Sequence, residues 1–134
     1  MNPKFWGPHA WIFLHSITMN YTKKPTEQDK QIYFKFFNDL LDIIPCEKCQ
    51  YNYSNNLKKF PIEPALENRE KVIQWLINIH NEVNKETGKD IYTYDQVIEE
   101  YQYRMGNLEK DETMVYKIII MGLLIFIIYR FLKK

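Results

Sequence analysis

Residues 68–88 read NREKVIQWLINIHNEVNKETG, and this stretch decides the fold class. Val72, Trp75, Leu76, Ile79 and Val83 recur at three- and four-residue spacing, which puts them on one wide apolar stripe of a helix. Asn68 stands where an N-cap side chain can take up a free backbone N–H, and Gly88 stands where a left-handed residue can stop the helix. A helix with a single apolar face must bury it against other elements, so the flanking sequence has to supply partners.

Working outward, Cys46 to Lys59 reads as a more polar helix behind Pro45. Before it, Thr26 caps a helix through Asp29, with Ile32, Phe36, Phe37, Leu40, Leu41 and Ile44 as its expected buried face. Pro8 is expected in the first turn of an earlier helix, whose stripe is Trp11, Leu14, His15 and Thr18. Thr93 and Gln96 have capping-box spacing for a fifth helix through Val97 and Tyr101. No alternating pattern of useful length predicts a strand, so the fold class is all-α, a four- to five-helix bundle.

The chain is expected to divide near Gly106. Residues 1–106 form the helical domain, 107–113 a polar linker, and 114–132 a membrane-spanning helix, apolar except for Lys117 and Arg130 near its ends. At about 1.5 Å per residue that segment reaches roughly 28 Å, close to the ~30 Å hydrocarbon core of a bilayer. Ile118 to Tyr129 is uninterrupted but short, so spanning needs Lys117 and Arg130 to snorkel outward. Residues 1–21 carry His and Trp rather than a basic start and an apolar run. Insertion is therefore expected to follow translation, with the N-terminal domain on the cytosolic side. Arg130, Lys133 and Lys134 argue weakly for the opposite orientation.

The chemistry is concentrated at two cysteines, Cys46 and Cys49, in Pro45-Cys46-Glu47-Lys48-Cys49. Three-residue spacing at a helix start lets the sulfurs meet, and the positive end of the helix dipole stabilises a thiolate there. With no third cysteine, the pair favours redox chemistry over stapling. A formal net charge of +1, from 18 basic and 17 acidic residues, gives no phosphate-tracking surface and argues against a nucleic-acid partner. The helix at 68–88 adds an unusual polar edge, His80-Asn81-Glu82-Val83-Asn84-Lys85. Asparagines are poor helix formers, and with Trp11 and His15 these groups can hold a planar heterocycle with polar edges.

Three pieces in order, Trp6-Gly7-Pro8-His9-Ala10-Trp11-Ile12-Phe13-Leu14-His15, then Pro45 to Cys49, then His80 to Lys85, resemble the Erv/ALR family of FAD-linked sulfhydryl oxidases. The chain is most similar in brevity and in its opening Asn2-Pro3-Lys4 to the small members encoded by large cytoplasmic DNA viruses. The resemblance implies a helical bundle packed around FAD, usually a homodimer, with the cysteine pair against the flavin ring. It implies Cys49 as the flavin-side thiol and Cys46 as the interchange sulfur. It places Trp6, Gly7, Trp11, His15, His80, Asn81, Val83, Asn84 and Lys85 at flavin-contacting positions, with Lys89 and Tyr101 as further contacts.

The implied reaction takes two electrons from a protein thiol substrate, or from a small thioredoxin-like carrier, to dioxygen, giving a disulfide and hydrogen peroxide. Localisation follows as a C-terminal anchor with the oxidase domain facing the cytosol or the virion interior, in the host cytoplasm and virion membrane of a large DNA virus. The chain departs from many relatives in two ways. The positions matching their structural disulfide are Ile77 and Tyr94, and no cysteine remains for a second, mobile pair. A rival reading makes Cys46, Cys49, His15 and His80 ligands of a structural zinc in a tethered adaptor, although the two histidines are far apart in sequence.

Overall fold

The structure, a computed structural model, describes residues 1–133 and the side chains of all of them except residues 108–112. Lys134 and those five side chains of the expected linker therefore lie outside the described residues. The described residues hold five α-helices and one 3-10 turn, with no strand. They are α1 (Pro3–Asn20), α2 (Glu27–Ile43), α3 (Glu47–Lys59), the 3-10 turn Glu63–Glu67, α4 (Arg69–Thr87) and α5 (Tyr94–Leu132). The expected all-α class is what is observed.

The chain forms two compact units, Met1–Tyr94 and Asp95–Lys134. In the first, α4 packs against α1, α3 and the 3-10 turn, while α2 packs against α3 and that turn. Its caps are those the sequence predicts. Thr26 and Asp29 close a reciprocal capping box on α2, Asn68 accepts from Lys71 N–H at 2.9 Å, and Gly88 ends α4 in the left-handed region at φ 67°.

The core gathers Phe37, Val72, Trp75, Leu76 and Ile79 with Tyr21, Tyr53, Ile62 and Leu66. Three aromatic polar tips are satisfied by carbonyls across the core. Tyr21 Oη donates to Leu66 O at 2.8 Å, Tyr53 Oη to Phe37 O at 2.7 Å, and Trp75 Nε1 to Phe60 O at 2.8 Å. Each bond ties two elements together, so the aromatic groups fix the helix packing as well as filling volume. Ile77, at a position that matches the structural disulfide of many relatives, is only 1% exposed.

Two local expectations need correction. The first helix begins at Pro3, capped by the Asn2 side chain, and Pro8 lies inside it. The cap and an N1 proline outweigh the break, which removes one backbone donor. On α2, Ile32 is 56% exposed, and Tyr33 turns inward instead, its hydroxyl donating to Ile17 O at 3.1 Å. The second unit is the helix α5 beyond Tyr94, and residues 107–113 lie within that helix. Its segment Thr113–Leu132 is long and apolar enough, by length and composition, to cross a membrane, and its side chains are exposed.

Phe37 has no exposed surface and meets Trp75 edge-on, with ring centroids 4.8 Å apart. Phe37→Ala should therefore cost about 3–5 kcal/mol. Denaturant unfolding checks this, and a loss under about 1 kcal/mol would show that the α2–α4 contact is not the core of the unit.

Candidate active site

The cysteine pair sits where a loop becomes a helix. Pro45 ends the approach from α2, Cys46 takes an extended conformation as the N-cap of α3, and Cys49 occupies the first turn. The two are joined as a disulfide with Cα atoms 5.1 Å apart. Cys49 N–H donates to Cys46 Sγ at 3.2 Å, so a helix-terminal amide points at the sulfur that would carry negative charge once the bond opens. The preceding loop is braced by Gln50, whose Nε2 donates to Ile44 O at 3.0 Å. Gln50 has no signal in the sequence beyond its place one residue after the pair.

Elsewhere in the unit, α1 and α4 bring three rings together. Trp11 and His80 stack with centroids 3.8 Å apart and planes 9° from parallel. His15 Nε2 lies 3.0 Å from His80 Nδ1, so one imidazole donates and the other accepts. Burial holds both rings neutral. His15 is pushed down to about 3 by burial first and then by the charge His80 would carry, while His80 is pushed down to about 4 by burial and then by Lys89. Their four-residue spacings could be read in the sequence. The mutual hydrogen bond could not, because it depends on how α1 crosses α4.

The two asparagines of the polar edge hold the α4–α5 connection. Asn81 Nδ2 donates to Tyr92 O at 2.8 Å and Asn81 Oδ1 accepts from Tyr92 N–H at 3.0 Å. Asn84 is buried, and its Nδ2 donates to Asp90 O at 3.0 Å, while Lys89 N–H donates to Asn84 O. Val83 is half-buried beside them. Lys85 is exposed and pairs at 2.7 Å with Glu82, which also holds Lys59 of α3. Lys89 is exposed in the connection, and Tyr101 lies on α5 in the second unit.

A planar cofactor with polar edges can be tested against these groups. Two buried donors, Trp6 Nε1 and Asn56 Nδ2, have no hydrogen-bond partner among the described residues. A Cβ built on Gly7, beside Trp6, would meet nothing within 4 Å. Buried polar atoms are almost always satisfied, so a unit that holds such unused donors and also a cluster of Trp11, His15 and His80 rings fits a heterocyclic ligand. Asn56 was missed by the sequence reading, and its place seven residues after Cys49 was the available signal. The zinc rival finds no support. Among the described residues no three His, Cys, Asp or Glu side chains converge as metal ligands, and the facing imidazole nitrogens bond to each other.

Comparison with known proteins gives the same direction. The pattern described as the Erv1 / Alr family matches residues 8–103. The chain belongs to the Erv1/Alr family. Among family relatives, a probable FAD-linked sulfhydryl oxidase of Acanthamoeba polyphaga mimivirus is 43% identical over 100 residues, covering 74% of this chain and 70% of that one. An FAD-linked sulfhydryl oxidase of Arabidopsis thaliana is 30% identical over 106 residues, 79% of this chain. The chain spans 52% of that plant family member and 47% of a yeast one, about half their length. The crystal structure of the FAD binding domain of Erv1 from Saccharomyces cerevisiae superposes with a TM-score of 0.65 at 30% identity, covering 69% of this chain and 87% of that one.

The neutral imidazole pair sets a pH dependence. Both folded-state values lie below the ordinary 6.5, so below that pH the unfolded chain binds more protons than the folded one. The stabilisation is complete above about pH 6.5 and is lost as pH falls towards 4 and then 3, on the order of a few kcal/mol for the pair. Thermal melting should show the midpoint falling from pH 6.5 to 4, with a shallower fall in a His15→Gln, His80→Asn double variant. Equal slopes in the two proteins would contradict the assignment.

Proposed function

We propose that this chain is an FAD-dependent thiol oxidase that forms disulfide bonds in a protein substrate or in a small thioredoxin-like carrier, with dioxygen as the final acceptor and hydrogen peroxide as product. The observation that carries the reading is the Cys46–Cys49 disulfide at the N-terminus of α3, in a bundle that also stacks Trp11 on His80. The sulfhydryl-oxidase relatives and the superposition on an FAD binding domain support it.

The chemistry of the chain's own residues follows from the local geometry. A substrate thiolate attacks Cys46 Sγ, the Cys46–Cys49 bond breaks, and Cys49 leaves as a thiolate. A second substrate thiolate then attacks the substrate sulfur of the mixed disulfide and expels Cys46, whose negative charge the Cys49 N–H and the α3 terminus stabilise. Substrate leaves oxidised, and two electrons remain on the cysteine pair. Cys46 lines an open recess and Cys49 does not, which supports Cys46 as the interchange sulfur and Cys49 as the cofactor-side thiol.

FAD would be held by Trp6, Trp11, His15 and His80, with Gly7, Val83, Lys85 and Lys89 as further contacts and Asn81 and Asn84 fixing the neighbouring connection. When bound, it supplies the two-electron acceptor that returns the pair to the disulfide and passes electrons to dioxygen. Neutral imidazoles keep like charge from accumulating beside Lys89 at working pH.

A homodimer fits the face of α1 that leaves Phe5 74%, Ile12 42% and Phe13 60% exposed. Segment 113–132 is the anchor of this reading, and the viral relatives support a viral membrane, with the catalytic unit towards the cytosol or virion interior. Mass in detergent and resistance to alkaline extraction read out these two features.

Cys49→Ser should leave FAD bound and abolish turnover of dithiothreitol, whereas Cys46→Ser should keep the cofactor-side thiol and lose exchange with substrate. Oxygen uptake with a flavin absorbance spectrum checks both. Wild-type turnover in either variant would reverse the roles.

A further inference from the structure

The recess onto which Cys46 opens has a volume of about 610 Å³, within the range of ligand-binding clefts. Its lining combines apolar and acidic groups, with Ile43 and the Met1 side chain 70% and 77% exposed beside the sulfur. Asp42 and Glu47 flank them, and neither forms an ion pair among the described residues. Asp42 is placed against the local field. It sits in the last turn of α2, where the backbone carbonyls already carry partial negative charge and no basic side chain offsets it. Asp42 and Glu47 are the charged side chains among the residues that line the recess, so its side-chain charge is negative. Gln50, which also lines the recess, ties its side chain to Ile44 O at 3.0 Å.

The approach to Cys46 is constrained as well. An attacking sulfur must come along the S–S axis from the side away from Cys49, and Cys46 is the member of the pair that lines the recess. We infer that this recess docks the thiol substrate as an extended cysteine-bearing peptide, with an apolar residue beside the thiol resting on Ile43 and a basic residue within a few positions facing Asp42 and Glu47. The inference rests on the oxidase reading above and adds to it a substrate class. The electron balance is unchanged. One substrate dithiol becomes a disulfide while the Cys46–Cys49 disulfide becomes a dithiol.

The experiment uses the full chain in detergent and three Cys-X-X-Cys peptides that differ only in flanking residues: Leu with Lys, Leu with Glu, and Ser with Ser. The Leu/Lys peptide should show kcat/KM about fivefold above the Leu/Glu peptide at low salt, with the ratio approaching one near 1 M salt. An Asp42→Asn, Glu47→Gln double variant should bring the low-salt ratio towards one, and Ile43→Ser should reduce the preference for Leu/Lys over Ser/Ser. Equal kcat/KM for the three peptides, while dithiothreitol is oxidised, would overturn the docking surface and leave the oxidase standing. Failure to oxidise any thiol would overturn the oxidase reading and the docking surface with it. The peptide comparison on the wild-type protein decides the matter even if a variant fails to fold.

Discussion

The first unit depends on burial of one face of α4. Val72 and Ile79 have no exposed surface, Leu76 is 1% exposed, and Trp75 reaches across to Phe60 O while its ring packs edge-on to Phe37. Removing side chains of this size from water contributes about 1.5–3 kcal/mol each, a large part of the net stability of a domain this small. The same helix carries His80, Asn81 and Asn84 in the turns that follow Ile79. Packing that secures the core thus also sets the position of the site, because α1 is held against α4 both by core contacts and by the Trp11–His80 stack.

Division of labour between the helices follows. The α3 terminus supplies a sulfur pair and an amide directed at Cys46, while α1 and α4 supply flat, neutral rings. Neither set is sufficient alone for a thiol oxidase, since the pair must pass on its electrons and the rings have no redox chemistry of their own. Cross-links between them come from side chains outside the chemistry. Asn52 of α3 donates to Glu86 of α4, and Lys59 of α3 pairs with Glu82 of α4 at 2.7 Å. These exposed contacts link the sulfur-bearing helix to the ring-bearing one and contribute little energy individually.

What the sequence disclosed was local. The Thr26–Asp29 box, the Asn68 cap and the Gly88 stop depend on residues a few positions apart, and each stands where spacing predicts. The Trp11, His15, Thr18 stripe is legible for the same reason, whereas Cys46, expected as the first residue of its helix, is the extended N-cap before it. Tyr33 replacing Ile32 on the inner face was not, because the gain is a hydrogen bond to Ile17 O on another helix. Nor was the 3-10 turn Glu63–Glu67, whose Ala65 and Leu66 enter the core only through tertiary packing. At the site, the asparagines were read as possible ligand contacts, whereas their amides clamp Tyr92 and Asp90 across a connection that the sequence could not fold. Asn56 and Gln50 were missed because polar residues on a polar helix carry no hydrophobic periodicity, which leaves only their spacing from the cysteine pair as a signal.

The central claim is that this helical unit binds FAD and uses it to oxidise thiols through Cys46 and Cys49. The most direct measurement is the visible absorbance of the purified full chain in detergent, followed by oxygen consumption on adding dithiothreitol. The account predicts a bound flavin spectrum and thiol-dependent oxygen uptake with hydrogen peroxide formed in equal amount. A folded protein that takes up no flavin when FAD is supplied, and consumes no oxygen with thiol, would contradict it.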